Sequence, residues 1–403
     1  MSEERFEHPE LVHEYLRSLQ DQIDRTQVRN ERLQTRITQL EAERGELLSR
    51  LPRRKRGRPR PTSPAPPRNR DLNVPGVGVI PDIELPSGPV ARPDMRVAAV
   101  LDEFSRSAYQ YEFDLIDIPA KGWEESLESS RVDLLLVESA YSGYRGQWAA
   151  QIARFGRPSA LLTEVVDWCR KRSIPTVFWV KEDPINHDWF LASASLFDIV
   201  LTVDSNMVDS YRRRLDVRNV EVLQFGAQPA IHFPPASGDR PGRVAFAGSY
   251  YAAKHPERQQ QMEMLLKPAM EAGLQIFDRM DRPEDRRFAW PDEYLGHIVG
   301  SLTYAQTLEA YRRYLTFINV NTVVDSPTMC ARRVYELLAS GTRVVSGPAR
   351  ALQGVPVEIA DTEDDVKRIL NDGDAFDASA GFDWVNDGNL LSHRVDSILD
   401  FCP

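Results

Sequence analysis

The chain has 403 residues, 42% apolar and 27% charged, and its 50 Lys and Arg against 60 Asp and Glu give a formal charge of -10. That length exceeds a single hydrophobic core and the composition excludes disorder throughout, so two or more folded domains are expected. The three cysteines, Cys169, Cys330 and Cys402, lie far apart with no Cys-x-x-Cys or Cys/His ligand spacing, which argues against a disulfide framework or a structural zinc and predicts a reducing, cytoplasmic setting.

Met1 to Glu10 is acidic and carries no apolar stretch, and the longest apolar runs, such as Val132 to Val137, are strand-sized. Neither a signal peptide nor a membrane span is expected. Residues 1–51 carry a heptad repeat with Leu16, Ile23, Asn30, Ile37, Arg44 and Leu51 at a and Leu19, Thr26, Leu33, Leu40 and Leu47 at d. Ile at a with Leu at d favours two parallel strands, and a polar Asn30 at a fixes register, so a coiled coil and a homodimer are predicted. An amphipathic helix docked on its own body is the alternative.

Residues 52–94 read as a Pro/Arg-rich linker. Between Arg50 and Arg70 there are nine basic residues, six prolines and no acid, too little apolar surface to fold alone, and Asp71 to Asp94 reads as extended chain. Within it, Lys55-Arg56-Gly57-Arg58-Pro59-Arg60-Pro61 resembles the core of the AT-hook, whose extended Arg-Gly-Arg lies in the narrow, negative minor groove of A·T-rich DNA. A soluble spacer or attraction to another polyanion is the alternative. From residue 95 onward the net charge is near -12, so the body is not itself a DNA surface.

From Met95 short apolar runs alternate with helical stretches. Arg96 to Leu101, Val132 to Glu138, Thr176 to Val180, Ile199 to Val203 and Val220 to Gln224 predict buried parallel strands, with crossover helices over Ser159 to Lys171 and Ser205 to Arg214. A second series follows: strands over Arg243 to Ala247, Leu274 to Phe277, Leu315 to Val320 and Arg343 to Ser346, helices over Pro256 to Ala272, Tyr304 to Tyr311 and Met329 to Ala339. The prediction is two Rossmann-like, doubly wound α/β domains, 95–235 and 236–403, with a further helix over Asp364 to Leu370 and a closing segment crossing back. Ligands of such sheets sit outside the carboxyl ends of the strands.

At those ends stand the candidate site residues. Gly248-Ser249 closes one strand and is followed by Lys254, and Arg279 follows the next, a set suited to an anion at a strand end. Ser326-Pro327-Thr328 reads as the cap of a helix on which Arg332, Arg333 and Glu336 share a face, although spacing alone favours a surface Arg–Glu pair. In the first half, Glu182, Asp183 and His187 follow one strand and Glu138 ends another; these are the candidates to take a proton from an acceptor, or alternatively helix caps.

Ser326 to Thr342 resembles the SPTM-x-x-RR-x-x-E-x-LA-x-G block of the CgeB-like family, a spore-maturation branch of the group-one glycosyltransferases with the GT-B fold. Ile174 to Pro184 and Val244 to Arg258 match two further blocks in order, so the likeness spans most of residues 95–350. Val180 stands where many relatives carry Asn, and Ser340 where Cys is common. The resemblance implies transfer of a sugar from a nucleotide-sugar donor, bound by the C-terminal domain, to an acceptor bound by the N-terminal one, without a cofactor. It implies that Glu336 holds the donor ribose while Gly248, Ser249, Lys254, Arg279, Thr328 and Arg332 or Arg333 surround the diphosphate. No Asp-x-Asp pair follows a strand end, so metal independence is expected. The acceptor stays open among protein, glycan and DNA, and a non-catalytic scaffold is the remaining alternative.

Overall fold

The structure is a computed structural model and describes residues 71–402 apart from 216–218, 253, 282–284 and 373–375. The coiled-coil seam over 1–51 and the AT-hook-like segment lie outside the described residues. The first elements are an antiparallel hairpin, β1 (Leu72–Val74) and β2 (Gly78–Ile80), followed by the strands of a first lobe. These are β3 (Arg92–Val100), β4 (Phe113–Asp117), β5 (Leu134–Glu138), β6 (Thr176–Val180), β7 (Ile199–Thr202) and β8 (Asn219–Val222). They form one parallel sheet in the order β4-β3-β5-β6-β7-β8. Every residue of β5 and β6 is buried, which is why their sequences run apolar without alternation.

The second lobe repeats the plan with β9 (Gly242–Gly248), β10 (Leu274–Asp278), β11 (Ile298–Gly300), β12 (Tyr314–Asn319), β13 (Arg343–Ser346) and β14 (Glu358–Ile359). Its sheet is parallel in the order β11-β10-β9-β12-β13-β14. Local signals set the crossovers. The helix Ala160–Arg170 starts where the Ser159 hydroxyl accepts from the Leu162 amide at 3.1 Å, and Tyr304–Arg313 starts in a Thr303/Gln306 capping box.

Three departures from the sequence reading have physical reasons. The edge strands β4, β11 and β14 have no counterpart in it, because they are short or partly exposed and lack a continuous apolar run. The helix expected over Met329 to Ala339 spans Arg332–Ala339 with Ala331 at the cap position, since the Ser326 hydroxyl is used one turn earlier, accepting from the Thr328 and Met329 amides. The stretch expected to be extended linker folds: Val74, Val77 and Ile80 are buried, and Gly76 and Gly78, at φ of 74° and 89°, make the turn between them.

That hairpin is held to the second lobe. Gln275 Nε2 donates to the Pro75 carbonyl at 2.8 Å and Gln306 Nε2 to that of Ile80 at 3.2 Å, while Thr303 Oγ1 donates to Asp82 at 2.8 Å. Both lobes belong to one compact unit, and a single apolar cluster runs through them, taking Leu136 and Trp179 from the first, Phe317 and Tyr335 from the second, and the hairpin's three anchors. Separate clusters fill the outer faces, around Leu135 and Phe178 in one lobe and Phe246 and Ile318 in the other. The last helix, Leu391–Phe401, turns back: the Leu391 amide donates to Ala227 O at 2.7 Å, Arg394 Nε to Phe225 O at 2.8 Å, and Asp396 pairs with Arg92 at the start of β3.

Candidate functional site

In a doubly wound sheet the crevice opens where neighbouring strands send their connections to opposite faces. In the second lobe this is between β9 and β12, and a pocket of about 190 Å³ lies there. Gly248 and Ser249 close β9, Arg279 follows β10, Val320 to Val323 follow β12, and Met329 to Ala331 with Arg333 bring in the start of the last crossover helix; Tyr251 and Arg258 complete the wall. A Cβ on Gly248 would stand 2.6 Å from the buried Phe246 ring, so only glycine keeps this backbone in place. Gly248→Ala is expected to cost about 1–3 kcal/mol, read as a lower urea midpoint.

Three guanidinium groups meet in this pocket. Arg258 is buried, with Nη1 donating to Val320 O at 2.9 Å and to Thr322 Oγ1 at 3.4 Å and with Nε unpartnered. Arg333 donates to Ala247 O, and Arg279 is exposed, tied down only through its backbone amide to Gly248 O at 3.0 Å. Their hydrogen bonds go to carbonyls and one hydroxyl, and among the described residues no ion pair engages any of the three. Burial first, and the Arg333 charge second, lower Arg258 to about 10; burial lowers Arg333 also, with Arg279 and Arg332 adding to it. The charges of the cluster thus work against one another. The Ser249 hydroxyl, buried on the same wall, has no hydrogen-bond partner among the described residues either.

The first lobe's crevice lies between β3 and β5, and it too holds charge. Lys181, just past β6, places Nζ 2.8 Å from Glu138 Oε1 and 2.8 Å from Asp102 Oδ2, and the Asp102 amide donates to the same Glu138 oxygen. Glu138 is fully buried and its Oε2 has no partner. Burial raises its carboxyl above the ordinary range, against the pull of Lys181 and with the push of Asp102. Lys181 Nζ stands 4.1 Å from the centre of the Phe104 ring, and Arg332 of the second lobe also stands 4.1 Å from it, so one ring joins the two lobes through cation–π contacts.

Behind Arg332 lies Glu336, 1% exposed. Its Oε1 accepts from Arg332 and from the Tyr304 hydroxyl at 2.9 Å and lies 3.3 Å from His232 Nε2, while Oε2 has no partner. Burial alone would raise this carboxyl, but Arg332, then His232 and Tyr304, hold it down at about 2.

The residues expected from the sequence therefore separate into groups. Gly248, Ser249, Arg279 and Arg333 share one pocket; Lys254 is exposed outside its lining, and Arg332 and Glu336 form the neighbouring ion pair. Thr328, expected at the diphosphate, instead joins the lobes: its Oγ1 accepts from the Ser205 amide and donates to Val203 O, both at 2.9 Å. Asp183, expected to take a proton from an acceptor, is fully buried and already accepts from Thr202 Oγ1 at 2.6 Å and the Tyr211 hydroxyl at 2.9 Å, with His187 Nδ1 at 3.0 Å. His187 is itself buried in that network, its Nε2 3.3 Å from Ser210 Oγ. The pair braces the helix His187–Ala194. Asp183→Ala is expected to cost roughly 3 kcal/mol or more in urea denaturation, because it strands two buried hydroxyls and an imidazole. Glu182 is partly exposed and holds Asn186 Nδ2 at 2.8 Å. Asp102, Phe104, His232 and Tyr304 went unremarked in the sequence; none has a neighbour in chain order that marks it, and only the folding of both lobes brings them together.

Two parallel doubly wound lobes facing across a cleft constitute the GT-B fold. No family model matches the chain, and no curated protein matches it in sequence. Among solved structures, it is similar to Anabaena HepE in complex with UDP and glucose, at 8% identity over 76% of this chain and 98% of that one with a TM-score of 0.45. It is similar to an alpha-glucosyltransferase in complex with UDP and a 13-mer DNA containing a central A:G mismatch, at 12% identity, 76% and 99% coverage and a TM-score of 0.49. A point mutant of T4 phage BGT in complex with UDP-glucose matches at 11% identity, 76% and 99% coverage and a TM-score of 0.46. At such identities the likeness is one of fold. Among the described residues no helix is long and apolar enough to cross a membrane.

Proposed function

We propose that this protein is a glycosyltransferase that takes its sugar from a nucleoside-diphosphate donor, of the kind the CgeB-like motif blocks imply. The observation that carries the reading is the meeting of Arg258, Arg279 and Arg333, without carboxylate partners, at the strand-end crevice of the second lobe and beside a helix start. A diphosphate relieves their mutual repulsion, and the same groups stabilise the charge that grows on it as the sugar departs. In this reading Glu336 is a positioning residue that holds Arg332 against Phe104 at the lobe boundary, and the Glu138–Lys181–Asp102 cluster stands on the acceptor side. A homodimer through residues 1–51 is part of the proposal.

Calorimetric titration with UDP, GDP, ADP and TDP tests it. Binding of at least one is expected, and heat from none would leave the scaffold reading in its place. Guanidinium groups supply the positive charge in this site, so transfer is proposed to need no divalent metal. Turnover unchanged in EDTA is the expected outcome; loss in EDTA with recovery on adding manganese counts against it.

A further inference from the structure

The first lobe carries an aromatic surface at the carboxyl edge of its sheet that the donor site does not use. Trp189, in the first turn of the helix after β6, is 51% exposed, and Phe155, in the loop after β5, is 71% exposed. Their rings meet edge to face at 6.3 Å, and the Arg154 amide donates to Trp189 O at 2.7 Å, fixing the loop on the helix. Tyr141 continues the surface, packed edge to face on Phe190 at 5.4 Å and itself 47% exposed. Burial first, then Glu182 and Tyr251 of the second lobe, raise the Tyr141 hydroxyl above its ordinary range.

Its charge is unlike that of the body around it. Residues 139–159 contain Arg145, Arg154 and Arg157 and no Asp or Glu, in a region whose net charge is near -12. The adjacent exposed acid, Asp188, is engaged by Arg214 at 2.8 Å. A neutral glycan is held beside aromatic rings by acceptors for its hydroxyls, and the two neighbouring carboxylates, Glu182 and Asp188, are already engaged by Asn186 and Arg214. Exposed rings interleaved with arginines suit unpaired bases joined by phosphates. Arg50 to Arg70, with nine basic residues and no acid, has the same preference for a polyanion.

We infer that the Tyr141–Phe155–Trp189 surface, with Arg145 and Arg157, is a binding platform for single-stranded nucleic acid, which is the acceptor or carries it. The inference rests on the glycosyltransferase reading for its role and stands apart from it for binding. The test uses the full chain and a fluorescent dT20 at 300 mM salt, where purely ionic attraction is weakened. Expected are saturable anisotropy and quenching of tryptophan fluorescence, a loss of roughly thirty-fold in affinity for Phe155→Ala with Trp189→Ala, and partial recovery with Trp189→Phe. Arg145→Ala with Arg157→Ala is expected to lower the slope of log affinity against log salt by about 1.4. Unchanged dT20 affinity in the double aromatic variant overturns the inference, as does heparin binding that quenches tryptophan while dT20 does not bind. Titration of the same protein with UDP, GDP, ADP and TDP reads the donor pocket separately: dT20 binding without binding of any of the four sinks the proposed function alone, and the reverse sinks this inference alone.

Discussion

Replacing Arg279 by alanine is expected to weaken nucleoside-diphosphate binding about ten- to a hundred-fold while leaving the melting temperature where it was. The side chain is exposed and no described hydrogen bond depends on its guanidinium, so the fold does not need it, whereas a charge-assisted bond to phosphate contributes about 1.5–3 kcal/mol. Arg333→Ala is expected to lose as much affinity and some stability as well, because its guanidinium also holds the Ala247 carbonyl. Titration calorimetry and a thermal melt separate the two variants. Equal affinity for UDP, GDP, ADP and TDP in wild type and Arg279→Ala would remove the basis for placing the diphosphate in this pocket.

The second large effect belongs to Glu336. Removing its carboxylate takes the ion-pair partner from the half-buried Arg332 and a hydrogen-bonding neighbour from the buried His232 and Tyr304, and Glu336→Ala is expected to cost about 1.5–3 kcal/mol. Glu336→Gln keeps the shape and the Tyr304 contact and is expected to cost less. Because the folded carboxyl is held at about 2 against 4.5 ordinarily, the stability it supplies is fully present above pH 4.5 and is lost as pH falls toward 2. The urea midpoint of the wild type is therefore expected to fall more steeply between pH 4.5 and 2 than that of Glu336→Gln. Parallel curves would mean that the carboxylate carries no such linkage.

The central strands were legible because burial on both faces leaves an unbroken apolar run, as in Leu134 to Val137 and Thr176 to Val180, and the crossover helices because Ser159 and Thr303 mark their starts. The hairpin was not, since its three anchors sit among prolines and glycines whose usual meaning is open chain. Half of the anion pocket could be read from Gly248, Ser249, Arg279 and Arg333 at strand and helix ends. The surroundings of Asp183 were not legible: an acid after a strand looks the same in sequence whether it faces a crevice or turns into the lobe, and the Thr202 and Tyr211 hydroxyls that bond it come from elsewhere in the chain. Arg332 and Glu336 show the converse, an i, i+4 pair whose spacing suggests a solvent-facing bridge and whose partners from other elements bury it.

The path of the chain governs how the cleft moves. Backbone passes from one lobe to the other after the hairpin, again between β8 and β9, and a third time before Leu391. Near Arg92 these crossings are stitched together, by its pairs with Glu112 and Asp396 and by the Gln228 amide reaching Glu112 at 2.8 Å. A three-ply seam of this kind allows swing and forbids slide. In the proposed reaction a spent nucleotide would then leave by rotation about one edge, with the seam itself as the axle.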